Sequence, residues 1–344
     1  MTRAIDVQGI RIFAKTAPCA HSCRYCLVGQ KKIVDVAFPR FVAIVERFIE
    51  WRSESGLSNF SILAGVEDSY EFSVEILKAL FELQSKIGRN EGSDGIKLGG
   101  LKWRSESDMR TWLTERRDMA NLKIVHASLA GCGSTHDRWN GREGDFEFLF
   151  QTMRTAAEIG LRVHQRLFVV RSTLPVLADL IDKLDEIPVK ALRYLSTFVY
   201  QGLATRLEEE RITEAMRDQL PACLGEISMR AGTQWLSERE WIGEYKDKID
   251  ADKPRKLRLD LEITDANIDQ LEHMSCEEIV AGLTSKTAKT YAMFPSRSKL
   301  LKECADRSNR LIYASLRELE HKWFDRYLIK NPSHLAKDVG HFAA

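Results

Sequence analysis

The chain has 344 residues, 44% of them hydrophobic and 29% charged, enough apolar material for a substantial core beneath a polar surface. Its 51 Lys and Arg stand against 50 Asp and Glu, so charge gives no sign of a polyanion-binding surface or a nucleic-acid partner. No apolar run approaches the roughly 20 residues needed to span a bilayer, and residues 1–5 lack the charged-then-apolar pattern of a secretory leader. A cytoplasmic protein with no membrane partner is expected.

Apolar periodicity predicts a strand over 10–14 and a helix over 41–51, with Phe41, Ile44, Val45 and Phe48 on one stripe. A strand follows at 59–64, a helix at 70–86, a strand at 95–100, and a helix at 106–120 entered through a capping Ser/Asp turn. Then come a strand at 122–129, a helix at 145–159 ended by Gly160, a strand at 161–170, a helix at 173–184 and a strand at 191–199. Such alternation implies parallel strands joined by right-handed crossovers. About six units predict an α/β fold built as a partial (β/α)6 barrel, too few for a closed ring of eight.

After Arg206 the pattern changes. Residues 209–232 read as helical with a break at Pro221. Residues 256–263 read as a half-exposed strand carrying Leu257, Leu259, Leu261 and Ile263 on one face. Residues 296–328 read as a long helical region behind Pro295. Trp235, Trp241 and Trp323 are expected to pack inside. The organisation expected is a core over 1–206 and a mainly helical extension over 207–344, a separate lobe or a cover over the barrel mouth.

Seven cysteines are present. Cys19, Cys23 and Cys26 crowd together, whereas Cys132, Cys223, Cys276 and Cys304 are scattered. An odd count in a reducing compartment argues against a disulfide framework and for a metal site. The segment Ala17-Pro18-Cys19-Ala20-His21-Ser22-Cys23-Arg24-Tyr25-Cys26 follows the first strand with Cys-x3-Cys-x2-Cys spacing. A [4Fe–4S] cluster takes four ligands, usually thiolates, so three close cysteines leave one iron open. An open coordination position is what makes a metal site reactive. The alternative is zinc with His21 or a remote cysteine as fourth ligand. Zinc sites favour a second ligand pair, and none is present. His21 otherwise reads as loop surface.

The spacing, Tyr25 before the last cysteine, and the position after strand one resemble the radical S-adenosylmethionine (radical SAM) superfamily. The resemblance implies that SAM chelates the open iron and that one electron cleaves it to methionine and a 5′-deoxyadenosyl radical, which takes hydrogen from a substrate. It extends to Ala64-Gly65-Val66-Glu67-Asp68, a partial match to a Gly-Gly-Glu-like turn that binds the SAM amino group. It also includes Ser128-Leu129-Ala130-Gly131 followed by His136-Asp137-Arg138-Trp139-Asn140-Gly141. On this reading Cys19, Cys23 and Cys26 hold the cluster, and Tyr25, Gly65, Glu67, Ser128 and Arg166 form the cofactor set. Asp137 and Asn140 read equally as turn and cap residues. The resemblance covers about residues 5–205.

Strand alternation places Arg162, His164, Arg166 and Phe168 on one face of the fifth strand, with His126 and Ser128 on the matching face of the fourth and Lys97 nearby. Catalytic candidates are therefore Arg162, His164, Arg166, His126 and Cys132. Cys132, Trp103 and Tyr200 are expected near the strand ends that carry chemistry; Cys132 is either a quencher of a substrate radical or an incidental turn cysteine. A cationic interior suggests a small-molecule substrate with a carboxylate or phosphate, or internal pairing with acids such as Glu67 and Asp68. The resemblance also implies a reducing partner such as flavodoxin or ferredoxin. Peptide or RNA modification, methyl transfer, and a non-catalytic zinc or iron–sulfur sensor remain alternatives. Oligomeric state, substrate and the fate of its radical are not legible.

Overall fold

The computed structural model describes residues 5–16, 19–27, 36–66, 70–88, 95–188, 191–225, 227, 229, 233–245, 255–293 and 295–332. Its first half alternates β1 (Ile5–Ala14), α1 (Phe38–Glu54), β2 (Ser61–Val66), α2 (Val74–Lys86), β3 (Gly95–Lys97), α3 (Glu106–Ala120) and β4 (Ile124–Leu129). It continues through α4 (Ser134–Asn140), α5 (Asp145–Glu158), β5 (Arg162–Phe168), α6 (Leu177–Asp185) and β6 (Leu192–Ser196). The six expected strands are all present. Side-chain caps set two of the helix starts: Ser73 accepts from Ile76 N at α2 and Ser105 from Asp108 N at α3.

Every pairing among these strands is parallel. They form two segments, one ordered β3-β4-β5-β6, the other containing β2-β1. One apolar core spans both. Ile10 and Ile12 of β1, Phe41 and Phe48 of α1, Val125 and Ala127 of β4, and Leu149 and Met153 of α5 belong to the same buried cluster. A fully buried side chain of this kind contributes about 1.5–3 kcal/mol. The helices α1, α2, α3 and α5 pack one against the next on that side. On their opposite faces β4 and β5 carry the half-exposed His126, Ser128, His164 and Arg166.

The remainder comprises α7 (Glu214–Asp218), β7 (Leu236–Ser237), α8 (Glu238–Tyr245), β8 (Arg255–Ile263), α9 (Ile268–His273), α10 (Cys276–Met293), α11 (Arg297–Cys304), β9 (Ile312–Tyr313) and α12 (Leu316–Lys330). The alternating segment is β8, with Leu259, Leu261 and Ile263 buried. It pairs parallel to β1 on the edge away from β2, so the chain after residue 206 supplies a strand to the core sheet. Arg11 of β1 bonds Asp260 of β8 at 2.7 Å across that pairing.

Two expectations fail here. Among the described residues of 209–232 the helical elements are the five-residue α7 and two 3-10 turns, at Glu208–Glu210 and Ala222–Leu224. Thr213 caps α7 late and Pro221, lacking an N–H, cannot continue it. Residues 296–328 are two helices rather than one. Asp306 accepts the Ser308 N–H at 2.9 Å in a local turn that competes with the helix ladder. The buried β9 follows, pairing with β7, before Ser315 starts α12 afresh. These elements enclose a second core around Trp241, Tyr313, Trp323 and Phe324. Within it, the buried Arg211–Glu318 pair (2.7 Å) and Glu238, which accepts from Trp323 Nε1 at 2.6 Å, are fully partnered. Trp235, Trp241 and Trp323 are all buried, as expected.

Candidate active site

The cysteine loop lies between three other segments. Ala20 N donates to Gly100 O (3.2 Å), Ser22 N to Asn140 O (3.1 Å), Arg24 N to Trp139 O (2.9 Å), and Leu203 N to Cys26 O (2.9 Å). The clamp needs glycine at its tightest points. Gly202 has φ +57°, and a Cβ there would lie 2.5 Å from Cys26 O and 2.4 Å from Leu27 O. Cys19 is exposed and Cys23 and Cys26 are half-buried. Burial, then the neighbouring Cys19 and Cys26, then Asp145 push the Cys23 thiol up to about 12. The three sulfurs are therefore close enough to repel one another as thiolates. Such a soft, mutually repelling donor set fits an iron–sulfur cluster, whose iron supplies the opposing charge. Among the described residues no group of three His, Cys, Asp or Glu side chains is placed to hold a single metal ion.

His21 is not loop surface: its side chain is 3% exposed. Its Nδ1 lies 3.7 Å from Cys23 Sγ, and its Nε2 lies 3.0 Å from Asp145 Oδ1 and accepts from Gly100 N at 3.2 Å. Asp145, the first residue of α5, is fully buried. It contacts His136 Nε2 (3.2 Å) and accepts from Asn140 Nδ2 (2.6 Å) and Arg142 Nε (2.9 Å). Burial opposes its charge, but the hydrogen bonds from His136 and His21 hold it well below the usual carboxylate range. Asp137 lies within α4 and caps the start of α5, accepting from Gly144 N and Phe146 N. Asn140 is a bridge instead: Tyr25 Oη donates to its Oδ1 at 2.6 Å while its amide donates to Asp145. Sequence inspection missed His21 and Asp145 because their partners are 124 residues apart.

Tyr25 stacks on Phe198 (ring centroids 4.7 Å apart) and packs on Phe168 (4.9 Å) and Trp139. Its side chain is thus committed to anchoring the loop, and burial together with Cys23 pushes its phenol well above the ordinary range. Phe168 belongs to this buried aromatic cluster rather than to an open interior.

The polar faces of β4 and β5 meet as expected. His126 stands opposite His164, and Ser128 opposite Arg166. The imidazoles are edge-on at 5.0 Å. The Arg166 guanidinium lies 5.9 Å from the Phe168 ring and 5.7 Å from the Tyr194 ring, and its Nε is buried without a hydrogen-bond partner. Lys97 lies 5.7 Å over the Tyr70 ring. Arg162 stands apart, exposed at the opposite end of β5. Cys132 faces the helix side, packed against the main core and near Asp179 and Glu147. The reversal follows Gly131, whose φ of +90° turns the chain out of the strand. Gly65 lies near the end of β2, while Glu67 and Asp68 fall outside the described residues. Trp103 is exposed over Arg142. Tyr200 N donates to Glu318 of α12. A cavity of about 500 Å³ lined by Leu195, Leu220, Leu224 and Trp235 contains none of the candidate residues.

The interior is less cationic than its composition suggests. Burial, then His164, Arg166 and Lys97, lower His126 to about 4, and burial also lowers His164. Both are neutral hydrogen-bonding groups at neutral pH. Because the unfolded histidine titrates near 6.5, the unfolded chain takes the proton first as pH falls. Stability is complete above about pH 6.5 and is lost towards pH 4. His126→Phe is expected to flatten that part of a stability-against-pH curve from urea unfolding, and an NMR titration should show His126 neutral at pH 5. Protonation of His126 near pH 6.5 would contradict this account.

No family model matches the sequence, and no curated protein matches it. Solved structures overlap it in part. SuiB from Streptococcus suis, bound to precursor peptide SuiA, is 12% identical over 70% of this chain and 48% of its own, with a TM-score of 0.42. Coproporphyrinogen III oxidase (HemN) from Escherichia coli, described as a radical SAM enzyme, is 11% identical over 75% and 64%, with a TM-score of 0.41. The anSMEcpe structure with bound AdoMet and Cp18Cys peptide is 12% identical over 96% and 100%, with a TM-score of 0.44. The chain spans about half of the first of these and just under two thirds of the second.

Proposed function

We propose that this chain is a radical SAM enzyme, with residues 1–206 carrying the chemistry and residues 207–344 completing the sheet and covering the barrel mouth. The observation that carries the reading is the buttressed Cys19, Cys23 and Cys26 loop, set beside a barrel interior where Arg166 Nε is buried with no hydrogen-bond partner among the described residues. The two are adjacent: Tyr25 of the loop packs on Phe168, two residues beyond Arg166.

In this reading the three thiolates hold a [4Fe–4S] cluster with one iron open. When bound, the cluster supplies one electron that cleaves the sulfonium of SAM to methionine and a 5′-deoxyadenosyl radical. The protein's part is orientation and exclusion of water. Arg166 would hold the SAM carboxylate, and Ser128, its neighbour across the β4–β5 pairing, would donate a further hydrogen bond. Gly65 lets the backbone of the β2 turn approach the amino group, with Glu67 as its counter-charge. Neutral His126 and His164, with Lys97, line the space left for a substrate, which we take to be a small molecule bearing a carboxylate or phosphate. A flavodoxin- or ferredoxin-type protein supplies the electron in a cytoplasmic setting. Among the described residues no helix is long and apolar enough to cross a membrane.

The test is 5′-deoxyadenosine, measured by mass spectrometry after anaerobic reconstitution with iron and sulfide and addition of SAM and dithionite. Product is expected from the wild type and is expected to fall to background when Cys19, Cys23 and Cys26 are all replaced by Ala. Colourless protein that holds zinc would end the reading. Labelled SAM separates hydrogen abstraction from methyl transfer, which would leave the methyl label on a product.

A further inference from the structure

We propose that His21 is a positioning residue for the iron–sulfur cluster: its Nε2 accepts from the Gly100 N–H, which leaves the ring proton on Nδ1, and that Nδ1–H donates a hydrogen bond to the Cys23 thiolate, with Asp145 packed behind the ring. The inference rests on the radical SAM reading above. Its own basis is geometric. The imidazole is 3% exposed and stands between Cys23 Sγ, 3.7 Å from Nδ1, and Asp145 Oδ1, 3.0 Å from Nε2. That sulfur distance is within the range of an N–H···S hydrogen bond. The carboxylate behind is not free to move. It also holds His136, Asn140 and Arg142, and His136 is fixed in turn because its Nδ1 accepts from Ala130 N at 3.1 Å.

Asp145 reaches Cys23 by a second route. Asn140 Nδ2 donates to the carboxylate, and Asn140 Oδ1 lies 3.7 Å from the same sulfur while accepting from Tyr25. A sulfur bound to iron has no proton to give Asn140, whereas His21 can donate to a ligating thiolate. Metal ligands are commonly oriented by a fixed outer partner, and hydrogen bonds to cluster sulfurs raise the reduction potential by stabilising the extra negative charge of the reduced state.

The experiment uses the anaerobically reconstituted full chain and reads iron content, the EPR signal of the reduced cluster and its midpoint potential. Asn places an amide nitrogen where Nδ1 was, whereas Gln places one where Nε2 was. His21→Asn should keep the iron content, g-values and potential of the wild type. His21→Gln and His21→Phe should lower the potential and shift the g-values, or lose iron that His21→Asn retains. A merely structural role predicts the reverse order, with Gln, which still reaches Asp145, the better substitute. That order overturns the inference, as does equal loss of iron from all three variants, because Asn retains the proposed donor. Should His21→Phe not fold, the Asn and Gln pair decides alone. A wild-type cluster whose potential is indifferent to His21 overturns this inference only; wild-type protein that takes up no cluster overturns the function reading as well.

Discussion

Replacing Arg166 by Ala is expected to weaken SAM binding by about 10- to 150-fold, the loss of roughly 1.5–3 kcal/mol that follows removal of a charge-assisted hydrogen bond. The residue is otherwise hard to explain. Its Nε is buried without a partner, and among the described residues no carboxylate pairs with it. Two aromatic rings flank its guanidinium instead. A buried Nε–H kept without an acceptor costs stability unless an anion arrives to complete it. Because none of the described carboxylates pairs with the residue and its buried Nε is unsatisfied, Arg166→Ala should leave the thermal stability of the iron-free protein no lower than that of the wild type. Arg166→Lys, which keeps the charge but loses the planar fork, should recover only part of the affinity. Isothermal titration of the reconstituted protein measures both. If SAM affinity is unchanged while the hydrogen-abstraction product disappears, Arg166 serves the substrate carboxylate or phosphate instead. If neither changes, the cation has no role in the site.

Asp145→Ala is expected to lower the stability of the iron-free protein by about 3–5 kcal/mol, the range for removing one partner from a buried charged network. Asp145 is fully buried and satisfies groups on four residues. Its loss takes one partner from each of the buried His21, His136 and Asn140 side chains and leaves Arg142 without its counter-charge. Asp145→Asn, which keeps the shape, should cost less. The carboxyl is held below its unfolded value of about 3.9, so its contribution is complete well above that pH and is lost as pH falls from about 5 through the folded value. Urea unfolding at a series of pH values should therefore show a shallower acid decline in Asp145→Asn than in the wild type. Equal stability of Asp145→Ala and wild type at pH 7 would show that the network contributes nothing net to the fold.

These two residues also mark the boundary of what the sequence discloses. Arg166 was legible because strand alternation is local: a period of two puts Arg166, His164 and, across the register, Ser128 and His126 on one face, whatever lies elsewhere. The cysteine spacing is local in the same sense, as are the six strands, whose apolar faces repeat over a few residues. Asp145 was not legible. It looks like an ordinary acidic residue at a helix N-terminus, and only the packing of α5 beneath the cysteine loop makes it the hub of a buried network. His21 was misread for the same reason, since a polar residue in a loop appears solvated until a distant carboxylate is brought under it.

The sequence by itself determined the parallel strand–helix alternation, the face each strand turns inward and the three clustered thiols, because each is set by residues within one or two turns of chain. Tertiary structure alone decided that Cys132 faces the helices, that Arg162 lies at the far end of its strand, that histidines counted as cations are neutral, and that a strand from the last third, β8, completes the edge of β1. Direction after a glycine turn, desolvation and strand pairing all depend on what the folded chain places alongside, and that information is spread over residues far apart in sequence.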